Sequence, residues 1–513
     1  MDGMRVRTCH LPHSKITVLV GQEQWNGRGM PGSDLLIGDI FTNAARAVPD
    51  RTAAALGDRS LTFAAVEERA GRLVRVLADL GIGRGARVAV WSRTTLDAIP
   101  LFAALAKVGA VFIPVNGLLG PDEAADIMAT CRPGLVVTDT VRAPVAGAMA
   151  TATLEELDAR ADGVAGGAVA GAGLSERDPH VAFFTSGSTG RPKGAVLSHR
   201  ANYLRSHPGA LLEPRGAMVC PYPLFHMGAW TIALQQWQAR DAVVLVESAD
   251  AGSICAAVAR HRATRLNCIP AVWHRILDHV AASGPGALAT LRFADTGTSA
   301  TPPELLDAIE DLLPAAHLRV FYGSTEAGSV ACLEQPDFPE HPGSCGPPAP
   351  GVEVRQSADG ELWVRSALLF DGYLDDPGAT AAALVDGWYR TGDLVERDAD
   401  GFLSVIGRTG DLVRTGGESV VPAEVEGVLA GHHAVHEVAV IGLPDPHWGD
   451  VVCAVVVVEA GRTPPSLDDL RSRCDGQLAP FKHPRRLHLV DALPRTATGQ
   501  VQRRLLVERL SSS

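Results

Sequence analysis

The sequence predicts an α/β protein in two parts: a large N-terminal portion of mixed or parallel sheets flanked by helices, and a small C-terminal α+β portion. Three observations carry this. From Asp34 to about Gly407, short apolar runs of strand length alternate with helical patterns, the signature of sheets covered by helices. At 513 residues the chain is too long for one ordinary core. After Gly407 the pattern restarts with its own apolar strands, and about a hundred residues suffice for an independent small domain.

The elements follow in order. Residues 1–33 show no clear period and read as a poorly ordered leader or a misassigned start. Leu61–Leu80 carries apolar positions at helical spacing. Arg87–Trp91 reads as a strand, Thr95–Val108 as a helix and Ala110–Pro114 as a strand. Gly134–Thr138, Asp241–Val246 and Thr264–Cys268 continue the strands. Gly81, Gly83 and Gly85 precede a strand instead of following one, so they read as a turn and not as a dinucleotide fingerprint. The Gly/Ala-rich residues 163–173 read as a loop. Near the C-terminus, Val438–Ile441 and Val451–Val458 read as strands, and Ala423–Leu429 and Leu467–Leu478 as helices.

Composition excludes several classes. Hydrophobic residues at 46% and charged residues at 20% suit a globular protein. A net charge of −12 argues against a nucleic-acid surface, which needs clustered Lys and Arg. The nine cysteines include no Cys-x-x-Cys pair, which fits reduced thiols in a cytoplasmic protein. His432, His433, His436 and His447 lack metal-pair spacing. There is no signal-peptide core and no run of about 20 uncharged apolar residues, so no transmembrane segment is expected. Composition leaves monomer and homodimer open.

The chemistry concentrates in Thr185-Ser-Gly-Ser-Thr-Gly-Arg-Pro-Lys-Gly194, entered from the apolar run Val181–Phe184. Glycines let backbone N–H groups approach an anion. Thr185, Ser186, Ser188 and Thr189 add hydroxyl donors, and Lys193 adds positive charge. A flexible linker has no use for Pro192 or Lys193. The lysine follows a proline and no hydroxyl follows it, so this is not the P-loop of nucleotide triphosphatases.

This stretch closely resembles the signature loop of the adenylate-forming superfamily, which includes acyl-CoA synthetases, peptide-synthetase adenylation domains and luciferases. The resemblance runs from about Ile37 to Leu510. It implies a large domain at 34–408, a hinge at 409–411 and a mobile lid at 412–513. It also implies ATP, Mg²⁺ and coenzyme A as co-reactants, and a small carboxylic acid activated as an acyl-adenylate. On this resemblance Thr185, Ser186, Gly187, Ser188, Thr189, Gly190 and Lys193 grip the phosphates. Within Tyr322-Gly323-Ser-Thr325-Glu326, the tyrosine stacks near adenine, the threonine contacts phosphate and Glu326 holds Mg²⁺. Asp393 takes the ribose hydroxyls and Arg408 reaches the nucleotide.

His226 falls in the segment beside the acyl pocket, with Trp230, Gly297 and Thr298 as further pocket candidates within and around Ala294–Ala300. Gly410 stands at the hinge, where members often carry Asp or Lys; glycine is permissive there. Gly416, Gly417 and Glu418 match the loop facing the thiol acceptor. The chain ends at Ser513 without a carrier module, which tilts the acceptor towards free coenzyme A. An amine or carrier protein as acceptor, and a non-catalytic nucleotide-binding homologue, are the alternatives.

One departure matters. In the family, the motif corresponding to Pro494–Gly499 ends in a lysine that enters the site during adenylation; here Gln500 follows. Glutamine donates a hydrogen bond but carries no charge. Losing one preorganised charged donor typically costs about a hundredfold to a thousandfold in rate. Three readings stay open: an introduced substitution, a natural one with adenylation slow or rescued by Arg503 or Arg504, and a chain that has lost adenylation.

Overall fold

The computed structural model describes residues 4–11, 14–21, 34–139, 150–164, 173–186, 192–212, 216–299, 301–495 and 500–511. It divides into two units, residues 1–35 and 36–513. In the first, Met4–Leu11 and Ser14–Gly21 form an antiparallel hairpin, from Met4 opposite Gly21 to Leu11 opposite Ser14. Regular backbone thus occurs where the sequence showed no period. The run Ile16-Thr-Val-Leu-Val20 is rich in β-branched residues, which favour extended backbone even without alternation.

In the second unit, the strand Val111–Asn116 is followed in its sheet by Arg87–Ser92, Leu135–Thr138 and Ala150–Thr153, all parallel. On its other side lie Pro179–Ser186, Pro192–Ser198 and the short edge strand Gly372–Tyr373, the last two antiparallel to their neighbours. A second sheet runs Gly328–Glu334, His317–Ser324, Phe293–Gly297, Arg265–Asn267, Met218–Cys220, Val243–Leu245, Thr52–Leu56, Arg59–Thr62. Its six inner strands are parallel and both edges are antiparallel. Parallel strands are covered on both faces, which is why they read as continuous apolar runs.

The helices Ile37–Ala47, Phe63–Asp79, Ala98–Val108 and Met227–Gln238 share one core with a face of each sheet. Strand alternation divides the residues: Val88 and Val90 point into this core, while Ala89 and Trp91 point into another beneath the helix Pro121–Cys131. At its centre Trp230 stacks on Phe102 at 4.2 Å, and Phe112 meets Phe102 edge-on at 5.2 Å. Both indole N–H groups of the helix Met227–Gln238 are satisfied, Trp237 by Ala53 O at 3.0 Å and Trp230 by Leu224 O at 2.6 Å. In the second sheet Arg319 forks onto Asp295, its register partner, at 2.8 and 3.0 Å.

A five-stranded antiparallel sheet built on Trp388–Arg397 bridges towards the C-terminus, and Leu403–Arg408 pairs with that strand. Beyond it Val435–Asp445, Gly449–Val458, Val413–Thr415, Glu418–Val420 and Arg486–Leu489 form a last sheet with its own buried clusters. The helix Leu467–Cys474 ends four residues earlier than its pattern suggests, because Gly476 takes φ 75° and turns the chain.

His180 and His199 are both fully buried, with ring centroids 4.7 Å apart. His199 Nδ1 accepts from the Ile37 N–H at 3.2 Å, and His180 Nδ1 faces the Asn202 amide at 3.2 Å. Burial pulls His199 down to about 4, against a partial lift from Asp178, and holds His180 well below its ordinary value. Between pH 6.5 and 4 the unfolded chain therefore binds protons that the folded chain refuses, and stability falls as pH drops through that window. Urea denaturation at pH 7.5 and 4.5 should show a loss of up to about 3 kcal/mol from His199 alone. His199→Gln should flatten that slope without abolishing it, since His180 titrates in the same direction.

Candidate active site

The stretch 185–194 spans two antiparallel strands. Thr185 pairs with Lys193 and Ser186 with Pro192 across Pro179–Ser186 and Pro192–Ser198. A return strand, not a helix, follows it, so no helix N-terminus is available there to hold an anion. Gly187, Ser188, Thr189 and Gly190 at the tip lie outside the described residues, as does Ala300. Lys193 approaches the ring of Tyr373, with Nζ 5.3 Å from its centroid.

Glu326 stands in the turn between His317–Ser324 and Gly328–Glu334. It is 8% exposed. Its Oε1 accepts from the Tyr373 hydroxyl at 3.0 Å and lies 3.5 Å from Thr185 Oγ1. The backbone of this turn is held by Arg205, which donates to Thr325 O at 2.7 Å, Glu326 O at 2.8 Å and Leu368 O at 2.7 Å. Neither Arg205 nor Tyr373 carries a local sequence signal; both reach the site from elements more than 40 residues away in sequence. A buried carboxylate beside a threonine hydroxyl is an oxygen donor set that fits a hard divalent cation such as Mg²⁺.

Behind Glu326 the same strand carries Tyr322. Its hydroxyl donates to Asp393 Oδ2 at 2.6 Å, and Arg408 Nε donates to Asp393 Oδ1 at 2.7 Å. Asp393 and Arg408 are register partners, so the sheet itself sets this pair. The Asp393 carboxylate is 5% exposed and the Arg408 side chain 57% exposed, which leaves the guanidinium open to solvent. Burial, reinforced by Asp393, pushes the Tyr322 phenol well above its ordinary range, so it acts as a donor. Each Asp393 oxygen keeps acceptor capacity beyond the one bond it makes. Gly323 and Thr325 sit in the same strand and turn, the Gly323 backbone pairing with Ser329.

The acyl side begins one strand over. Gly297 pairs with Phe321 in the parallel register. At φ 156°, a Cβ on Gly297 would stand 2.2 Å from Phe321 O, so only glycine fits. Thr298 follows at φ 66° and exposed. His226 precedes the helix Met227–Gln238, its ring 4.2 Å from that of Phe225. Its Nε2 is buried without a partner, and burial pulls the ring down to about 4, so it is neutral at physiological pH. Trp230, expected as a pocket residue, is packed in the core, fully buried and hydrogen-bonded at Nε1. One helical turn from His226, it faces inward because the helix packs between the two sheets.

In the C-terminal part, Gly416 and Gly417 form the two-residue turn of the hairpin Val413–Thr415 with Glu418–Val420, at φ 59° and 85°. The Gly416 N–H bonds Trp448 O at 2.8 Å, and a Cβ there would meet the Trp448 ring at 2.9 Å. Glu418 is exposed. Gly410 has no atom within 4 Å of where a Cβ would lie. The Gln500 amide donates to Thr298 O at 3.2 Å, so position 500 reaches the end of the acyl-side strand. Arg503 forks onto Glu426 at 2.7 and 2.8 Å and reaches Asp411 at 3.4 Å, while Arg504 pairs with Glu508. Both arginines are thus engaged within the C-terminal part.

A family model for AMP-binding enzymes matches residues 41–374, and one for the AMP-binding enzyme C-terminal domain matches 424–500. The chain belongs to the AMP-binding enzyme family. The family's two models bracket the site, with Thr185, Glu326 and Tyr322 in the first and Gly416 and Asp393 between them. Among relatives, the indoleacetate–CoA ligase of Aromatoleum aromaticum is 32% identical over 89% of this chain and 94% of its own length. A feruloyl-CoA synthase from Amycolatopsis is 33% identical over 91% and 97%. The ATP-bound structure of MatB from Rhodopseudomonas palustris superposes with a TM-score of 0.82 at 28% identity, covering 92% of this chain and 99% of that one.

Asp393→Asn tests the nucleotide corner. It replaces the charged acceptor of two hydrogen bonds, and bonds to charged groups contribute about 1.5–3 kcal/mol. Calorimetric titration should show ATP binding weakened by about 10- to 100-fold, and the melting temperature should fall as the bonds from Tyr322 and Arg408 lose their charged acceptor.

Proposed function

We propose that this protein is an AMP-forming acyl-CoA synthetase, which activates a carboxylic acid with ATP as an acyl-adenylate and passes the acyl group to coenzyme A. The observation that carries the reading is the neighbourhood of one strand. His317–Ser324 presents Tyr322 to the Asp393–Arg408 pair, continues into the turn bearing Glu326, and pairs through Phe321 with Gly297 on the acyl side. Nucleotide, metal and acid groups are thereby held within one rigid segment, the positioning that lets two bound reactants meet in line. Thr185 to Lys193 would grip the phosphates and Glu326 would hold Mg²⁺, which when bound offsets phosphate charge. The curated relatives named above, a ligase of indoleacetate and a synthase of feruloyl-CoA, support coenzyme A as acceptor.

The acid is a monocarboxylate with an aryl or alkyl body. His226 is neutral and buried, so it offers no cation to a second carboxylate. The residues 412–513 would act as a lid turning about Gly410, where the backbone meets no crowding. No described helix is long and apolar enough to cross a membrane.

Gln500 supports a second reading of the first step. Its amide reaches the strand end that the family lysine would approach, yet brings no charge. Arg503 and Arg504 are held by carboxylates of their own, so neither supports a rescue. Adenylation is therefore slow in this chain, while ATP binding and thioester formation persist. Pyrophosphate exchange across a panel of aryl and alkyl acids checks this. Gln500→Lys should raise exchange by about 100- to 1,000-fold. Equal exchange in both proteins would refute a limiting role for position 500. A synthetic acyl-adenylate mixed with coenzyme A should give thioester and AMP in both; an amide formed with an amine, or a thioester formed on a carrier-protein thiol, in place of acyl-CoA would move the acceptor.

A further inference from the structure

Tyr373 occupies the two-residue edge strand Gly372–Tyr373, opposite Ala195. Lys193 lies two residues before Ala195, on the same face, and is therefore a diagonal neighbour of Tyr373. One phenol ring consequently serves two opposite charges. Its hydroxyl donates to Glu326 Oε1 at 3.0 Å, and the Lys193 ammonium lies 5.3 Å from its centroid, within cation–π range. Among the described residues no ion pair joins Lys193 to Glu326.

That separation has a chemical consequence. In a partly dry cleft a lysine and a glutamate attract strongly. A direct pair would cover the ammonium that phosphates need and the carboxylate that a cation needs. Glu326 is fixed from behind, since its carbonyl accepts from Arg205 and from the Phe370 N–H at 2.8 Å, so its side chain has one short arc to choose from. We propose that Tyr373 is a positioning residue that keeps Glu326 and Lys193 apart, its hydroxyl aiming the carboxylate at the divalent cation and its ring supporting the ammonium for the phosphates. This rests on the roles given above to Glu326 and Lys193. Burial and the neighbouring Glu326 charge push the phenol above its ordinary range, so it remains a donor across the working pH range.

The two halves of the role separate in two variants. Tyr373→Phe keeps the ring and removes the hydroxyl; Tyr373→Leu removes both. ATP binding is measured by calorimetry with and without Mg²⁺, and Mn²⁺ binding to the ATP complex by electron paramagnetic resonance. Tyr373→Phe should bind metal-free ATP within about twofold of wild type and bind the divalent cation about 5- to 30-fold more weakly, the range of one lost hydrogen bond. Tyr373→Leu should lose metal-free ATP affinity as well. Unchanged cation binding in Tyr373→Phe, or equal losses with and without metal in both variants, overturns the proposal alone. Wild-type protein that binds no ATP overturns the nucleotide reading and this proposal with it.

Discussion

Arg205 is 8% exposed and gives its guanidinium to three backbone carbonyls, those of Thr325, Glu326 and Leu368. Burying a cation costs several kcal/mol unless hydrogen bonds replace its water. Three charge-assisted bonds at about 1.5–3 kcal/mol each are of the size needed to offset that. Burial lowers its pKa to about 10, against the pull of Glu326 and Asp371, so it stays charged at neutral pH. The arrangement clamps two segments that no sheet register joins directly. The turn at 325–326 and the stretch from Leu368 to Tyr373 meet through this side chain and through two bonds of their own to Glu326, from the Phe370 N–H and the Tyr373 hydroxyl. From Leu368 the chain continues into Phe370, whose N–H bonds Glu326 O, and Asp371, whose carboxylate accepts the Ser198 N–H at 2.6 Å. The Glu326 carboxylate, the tyrosine beside it and the strand behind Lys193 are thus one hydrogen-bonded frame.

Much of this frame's surroundings could be read from the sequence. The parallel strands announce themselves as apolar runs because both faces are covered, and their boundaries move by only a residue or two, as with Arg87–Ser92 and Leu135–Thr138. Tyr322, Glu326, Asp393 and Arg408 were legible because each lies in a short motif whose order along the chain is informative. Arg205 and Tyr373 were not. A buried arginine among His199–Leu212 looks like any polar helix residue until the carbonyls it meets, more than 100 residues on, are brought to it. Trp230 misled for a related reason. Proximity to His226 in sequence suggested proximity in function, but four residues along a helix reverse nothing about which side is packed. The leader hairpin escaped because β-branched runs without alternation leave no period to detect.

The acyl side follows a different logic from the nucleotide side. On the proposed nucleotide side Tyr322, Asp393 and Arg408 form a continuous hydrogen-bonded chain. At His226 the polar atom Nε2 is buried and unpartnered, and the ring stays neutral. A neutral, desolvated surface favours an uncharged acyl body, because a buried second carboxylate would find no cation to compensate its lost water. Selectivity among uncharged acids then rests on shape, where one methylene is worth only about 1–3 kcal/mol. Gly297 itself is required by strand register, since a Cβ there would stand against Phe321 O.

Position 500 divides the labour between the two parts of the chain. The residues proposed to grip ATP stand on strands of the large portion and their clamp, none of which involves residues after Arg408. Relief of negative charge as a carboxylate nears a phosphate is the task of a residue delivered from the C-terminal part. The Gln500 amide lies on Thr298 O, so position 500 meets the large portion there without bringing a charge. The nearby cations cannot simply swing over. Arg503 would have to abandon Glu426 and Asp411, leaving Glu426, whose side chain is 18% exposed, without its partner. Breaking a partly buried pair to relieve charge elsewhere exchanges one unpaired anion for another. A chain built this way loses rate in the step that needs the cation while keeping affinity in the step that does not, because the two depend on different covalent segments held by different bonds.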